Sequence, residues 1–359
     1  MKKAGIILVL FLTFFFCFPS LVFAESQGEI WQDFTELLGE DETLGEEEVI
    51  EEAGVGFILS EVVSAILSQK GKIFNFCLLV FSLVLIVCAA ESTELFSGSD
   101  LSPHVNSGVS AVVSVMLFSA LYPFVISVKE TLEGLSGFFS GLIPILTGIS
   151  ASSGSVNSAA AHAANMNIIF ALVSGVLTAV LLPIAMLMFM LSVSDSLSVG
   201  NNTSLAKGIR GLFLWILGIV TAIIMGGVSM QSLISSASDS AYMRAARYAS
   251  SGLIPVVGST VSGALGALVG GLSYVKDAVG IGSVAFILTT ALAPLFVLLF
   301  YRLILSLGVL FMNFVGASAG AFSAIILALD AVIAVFASAI LVYVFEMVIF
   351  MKYGVASFG

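Results

Sequence analysis

Residues 250–282 read SSGLIPVVGSTVSGALGALVGGLSYVKDAVGIG, and the pentapeptide near their start, Ser251-Gly252-Leu253-Ile254-Pro255, also stands at Ser140-Gly141-Leu142-Ile143-Pro144. The copies lie 111 residues apart, and the same offset pairs Pro183 with Pro294, Thr178 with Thr289, Leu181 with Leu292, Leu187 with Leu298 and Phe189 with Phe300 without a gap. We read this as the duplication of a membrane unit. Apolar segments interrupted by Gly and Pro at matching positions of two halves are the pattern of transport or channel architectures. A broken helix exposes backbone polar groups only where protein or a water-filled cavity satisfies them.

Around that stretch the whole chain is apolar. Of its 359 residues 59% are hydrophobic and 10% charged, and the mean hydropathy is +1.15; soluble domains carry roughly 25% charged residues. The composition is that of a polytopic membrane protein. Residues 1–24 read as a secretory signal, with Lys2 and Lys3, an apolar run from Ala4 to Phe18, and Val22-Phe23-Ala24 as a small-residue cleavage site. An uncleaved anchor is the alternative. Either reading puts the segment from Glu25 onward outside the cytoplasm.

Thirteen of the 23 acidic residues fall between Glu25 and Glu61, a stretch without Lys or Arg, and the remaining ten balance ten bases from Lys70 onward. The acidic segment is a solvated external region. In its second half Val55, Ile58, Leu59, Val62 and Ile66 recur at helical spacing and form one apolar stripe, fit for a membrane surface or a partner helix. Cys77 and Cys88 stand eleven residues apart on one expected helix, too far for a disulfide.

Full-length apolar segments occur at 73–90, 105–128, 168–194, 209–235, 278–301, 303–326 and 331–351, and two shorter ones at 135–150 and 252–272 each carry an SGLIP element. The expected fold is all-α: a polytopic membrane helix bundle of seven full spans plus two short Gly/Pro-interrupted segments, internally duplicated. The chain then divides into a signal (1–24), an acidic external segment with an amphipathic helix (25–72), a first span and loop (73–104), membrane repeats 105–208 and 209–302, and a C-terminal helical hairpin (303–359). If both short segments span, the repeats are inverted, the reading we favour; if both re-enter, they are parallel. Either count of crossings is odd, so an external start gives a cytoplasmic carboxyl terminus, in agreement with Lys352 beyond the last span.

Two sets of residues are candidate functional positions. Gly258, Gly263, Ala267 and Gly271 follow Pro255, and the last three, four residues apart, form a flat face suited to close helix packing or to lining a path. Pro255 and its equivalent Pro144 free backbone carbonyls in the two short segments, and Pro183 and Pro294 are further candidate pathway or packing positions. The second set is charge inside apolar runs, which is costly and usually faces a partner or cavity. Arg302 and Asp330 each stand where two apolar segments meet almost without a loop, so the chain there either makes a tight corner, the reading we favour, or continues as a helix past the membrane face; Glu346 either lies at the interface or pairs with Lys352 or with a base on another helix.

Catalytic signals are absent. His104 and His162 have no Cys, Asp or Glu at ligand or catalytic spacing, and His162, in Ala159-Ala160-Ala161-His162-Ala163-Ala164-Asn165, reads as a polar loop or helix-end residue. There is no phosphate-binding loop, no dinucleotide turn and no basic cluster for nucleic acid. No cofactor and no metal are expected.

The run Ala246-Arg247-Tyr248-Ala249-Ser250-Ser251-Gly252-Leu253-Ile254-Pro255-Val256-Val257-Gly258, continued by Gly271-Leu272-Ser273-Tyr274-Val275-Lys276-Asp277-Ala278-Val279-Gly280, resembles the signature region of the stage III sporulation protein AE family. The resemblance implies a non-enzymatic subunit of a channel or secretion-like complex in the mother-cell membrane around the forespore, required for forespore development. It further implies other stage III A proteins as partners, including a secretion-type ATPase and ring-forming subunits, besides membrane lipid. The external amino terminus would face the space between the two membranes. The residues alone leave two rivals open: an autonomous secondary transporter, and a membrane scaffold with no pathway.

Overall fold

The computed structural model describes residues 60, 62–97, 102–152, 156–197, 203–253 and 258–353. The expected signal (1–24), nearly all of the acidic segment, and Pro255 lie outside them. Among the described residues every regular element is helical and there is no strand: α1 Lys70–Ser97, α2 Ser102–Ser152, α3 Val156–Leu172, a π-helical segment Val173–Leu181, α4 Leu182–Leu197, α5 Thr203–Leu253, α6 Gly258–Val315 and α7 Gly320–Tyr353. Among the described residues five helical stretches are long and apolar enough to cross a membrane: Lys70–Glu91, Ser107–Ser152, Gly208–Gly227, Gly270–Val315 and Gly320–Lys352, with Gly175–Leu191 as a shorter apolar one. This is the make-up of a multi-pass membrane protein.

The helices run longer than expected. Segments 105–128 and 135–150 are one helix, α2, with 46 apolar-rich residues from Ser107 to Ser152; at 1.5 Å per residue these extend about 69 Å, more than twice the ~30 Å of a bilayer core. Pro144 does not interrupt it. Pro144 and Ser140, whose carbonyl loses its donor, both lie on the exposed face. The charged sequence between the two segments also points outward, with Lys129 and Glu133 paired at 3.6 Å in the open.

Neither expected corner forms. α6 runs straight through Arg302, which is exposed, and α7 through Asp330. The chain reverses instead at Gly316, inside the expected 303–326 span. Gly316 takes φ 85°, donates its N–H to Asn313 O at 3.3 Å, and Ala317 N–H reaches Met312 O at 2.8 Å. That is a Schellman stop, which needs a residue tolerant of the left-handed conformation at this position. α7 begins three residues beyond Ala317.

The described residues cluster into two units. Those of Met1–Ala120, Leu191–Thr203 and Phe296–Ile326 form unit 1, and those of Leu121–Met190, Ser204–Leu295 and Leu327–Gly359 form unit 2. In unit 1, α1 buries Phe76, Val80, Leu83 and Val84. Phe76 stacks on Tyr301 of α6 with ring centroids 4.2 Å apart. Gly308 brings α6 so close that an added Cβ would stand 3.3 Å from Val84 Cγ2. At the reversal, Ser318 N–H donates to Glu91 Oε1 at 2.6 Å, so a carboxylate sits at the start of α7, where the helix dipole favours it.

In unit 2, α2 buries Leu121, Val125, Val128, Leu132, Leu135, Phe139, Leu142 and Leu146. Alternating steps of four and three make a coiled-coil type seam. Phe138 stacks on Phe286 of α6 at 4.1 Å, and Phe139 on Tyr343 of α7 at 5.1 Å, the rings within 10° of parallel.

Candidate functional site

Within unit 2, α7 carries Tyr343, Glu346 and Phe350 at steps of three and four, which places them on one helix face. α3 meets that face with an alanine-rich stretch; Ala159 and Ala161 are buried, and their small side chains let the helix come close. His162 comes next, in the middle of α3 and only 2% exposed, not in a loop or at a helix end as its sequence context suggested. Its Nδ1 stands 3.7 Å from Glu346 Oε1, and its ring meets Phe350 edge-on at 5.4 Å. Glu346 is 3% exposed.

The His162–Glu346 separation is longer than a hydrogen bond. Neither imidazole nitrogen and neither carboxylate oxygen makes a hydrogen bond to another described residue. Two ionisable groups therefore face each other away from solvent, where a single charge is costly. With one proton between them the pair is neutral overall, whichever group holds it. Asn165, one turn along α3, is also buried.

A second polar contact holds the end of α7. The Lys276 ammonium, on a side chain 6% exposed, donates to the carbonyl oxygen of Met351 and lies 3.3 Å from Asp277 Oδ1. A cation there satisfies a carbonyl that the terminating helix leaves without a donor. One turn along α6, Gly280 makes room for the same Met351: a Cβ at this position would run into the methionine side chain. Further back on α7, Asp330 Oδ2 lies 3.3 Å from Arg210 Nη2 of α5.

The charges singled out in the sequence thus resolve differently. Glu346 has its base on another helix, as one of the expectations had it, and Lys352 is exposed; Asp330 is charge-compensated; Arg302 is exposed. Of the proline and small-residue set, Pro144, Pro183, Ala267 and Gly271 are exposed and Pro294 half-buried, so none belongs to the buried polar group. A Cβ built at Gly270 or Gly271 meets nothing within 4 Å among the described residues, so these glycines seat no neighbouring described helix. Gly258 and Gly263 lie in the first turns of α6. Pro183 follows directly on the π-helical segment, where the Leu182 N–H reaches back five residues to Leu177 O.

His162, Lys276 and Arg210 escaped sequence reasoning as site residues because their partners lie far off in the chain or are backbone atoms. The usable signal for His162 was the alanine run itself, since a histidine among small residues sits where two helices come closest.

Residues 34–356 match the family model for stage III sporulation protein AE. The chain belongs to the stage III sporulation protein AE family. A stage III sporulation protein AE of Bacillus subtilis (strain 168) is 25% identical over 228 residues, which is 63% of this chain and 56% of that relative. The chain thus aligns with little more than half the length of that relative. No solved structure matches it. The signature region identified from residues 246–280 falls inside the matched range, and the family assignment drawn from it holds.

Proposed function

We propose that the chain is a non-enzymatic integral-membrane subunit of the stage III channel or secretion-like complex that links mother cell and forespore. The carrying observation is the family match over residues 34–356, joined to five helices fit to cross a membrane. On this reading the protein sits in the mother-cell membrane around the forespore, amino terminus external and carboxyl terminus cytoplasmic. A partner ATPase supplies energy, and ring-forming stage III A proteins complete the passage. The uncovered small-residue face of Ala267, Gly270 and Gly271 supports it, because that face is left for another subunit or for water.

The test is aqueous thiol labelling of single Cys substitutions from Ser251 to Ser273, in functional protein lacking Cys77 and Cys88, within sporulating cells. Labelling along one face through depth is expected; uniform protection of the central positions would sink the channel reading and leave a scaffold. The buried His162–Glu346 pair favours one rival, an autonomous secondary transporter. Vesicles holding only this chain would then accumulate solute along an ion gradient, and on the leading reading they do not.

A further inference from the structure

We propose that His162 and Glu346 form a proton-binding site within unit 2, and that its protonation governs how α3 seats on α7. The geometry selects the ligand. Two groups bridged by a water molecule stand about 4.5–5.5 Å apart, given normal hydrogen-bond lengths, and at 3.7 Å there is no room for one. A metal ion would need more ligands, and among the described residues there is no cluster of three or more His, Cys, Asp or Glu side chains. The remaining ligand is one proton, carried on either group and passed between them when the pair closes from 3.7 Å to hydrogen-bond distance.

The transfer balances simply: a proton on His162 Nδ1 moves to Glu346 Oε1, turning an imidazolium and a carboxylate into an imidazole and a carboxylic acid. No charge is created. Gain of a second proton leaves the pair positive, and loss of the first leaves it negative. Either change puts an uncompensated charge away from solvent, and separating α3 from α7 relieves it.

The other charged groups on the elements around the pair are already engaged or exposed. Lys276 of α6 is held by the Met351 carbonyl and Asp277. Arg210 of α5 is held by Asp330, sixteen residues before Glu346 and so about 24 Å along α7. Lys129 and Glu133 of α2 pair with each other in the open, and Lys352 is exposed. Tyr343, one turn before Glu346, stacks on Phe139. His162 is therefore the ionic partner that the described residues offer Glu346.

This inference rests on the sporulation family and not on the channel reading. Its first test is infrared titration of the purified full chain in lipid nanodiscs, with Glu346→Gln identifying the Glu346 carboxyl band. The band is expected to exchange intensity with its carboxylate counterpart as pH changes, with a displaced midpoint in His162→Gln. A band that does not respond to pH over the range where the protein stays folded overturns the proposal.

The second test is the double variant His162→Gln/Glu346→Gln, which can hydrogen-bond but cannot titrate, expressed in a sporulating host. Normal membrane levels with loss of heat-resistant spores are expected. The exchanged variant His162→Glu/Glu346→His, which titrates, is expected to restore them. A Gln/Gln variant that sporulates normally overturns the proposal and makes the pair a packing contact.

Discussion

Units 1 and 2 are built from similarly apolar helices but are closed by different means. In unit 1 the buried polar groups among the described residues are the Ser114 and Tyr301 hydroxyls, neither ionised, and the Glu91 carboxylate stays at a turn, where it receives the Ser318 N–H. Its helices are placed by shape, through the Phe76–Tyr301 stack, the close approach at Gly308 and the Schellman stop at Gly316. Unit 2 buries Ser150, His162, Asn165, Lys276, Ser283 and Glu346, and α7 there meets α3, α5 and α6 through polar contacts as well. In lipid, apolar surface distinguishes poorly between neighbouring helices. Shape suffices for a short connection such as the α6–α7 reversal. It also suffices between α1 and α6, whereas in unit 2 polar groups add specific partners along α7.

On that contrast, changes at the buried polar contacts of unit 2 cost more than a change at the polar contact of unit 1, while exposed and partly exposed positions of unit 2 cost least. The largest effect is expected for His162→Leu, which strips Glu346 of its base; loss of one partner of a buried pair costs about 3–5 kcal/mol, read as thermal destabilisation of the detergent-solubilised chain. His162→Leu/Glu346→Leu should recover most of that stability, and a double variant as unstable as the single one would break the account. Gly280→Val comes next. The new side chain must displace Met351 and with it the acceptor of Lys276, an overpacking cost of about 1–3 kcal/mol that calorimetry would register.

In unit 1, Glu91→Ala removes one charge-assisted bond at a helix start, and about 1 kcal/mol is expected; a loss as large as that of His162→Leu would erase the distinction between the units. Asp330→Asn weakens a partly exposed pair, so solvent screening holds its cost to about 1 kcal/mol or less. At the bottom stands Ala267→Leu. On an exposed face it should leave the isolated chain's stability within about 0.5 kcal/mol, and a marked fall in melting temperature would show that the face is covered within the chain.

Much of the helical character was legible beforehand, because apolar runs of this length have few other solutions in a bilayer. Helix ends were less so. Lys129, Glu130 and Glu133 look like a loop between two spans, yet a helix passes through them because they lie on its open side. Arg302 and Asp330 look like corners for the same reason, and each is accommodated in a continuous helix, one by exposure and the other by Arg210. The true reversal was written in Gly316-Ala317-Ser318-Ala319-Gly320, whose small residues read as span interior until the φ of 85° at Gly316 marks the stop. The buried site was hidden more deeply. The residue types at His162 and Glu346 were visible, but they lie 184 positions apart, and composition holds no trace of such a pairing.

The π-helical segment before Pro183 bears on the two proline-spaced stretches of the sequence. From Pro144 to Pro183 and from Pro255 to Pro294 the residue count is the same, 39 in each. The first path passes through Val173–Leu181, wound with five-residue reach, whereas the corresponding positions 284–292 lie in the regular α-helix of α6. Equal counts along the chain therefore run through differently wound backbone, π-helical over 173–181 and α-helical over 284–292, and within these windows a side chain moved from one position to its numerical counterpart meets a different helical pitch.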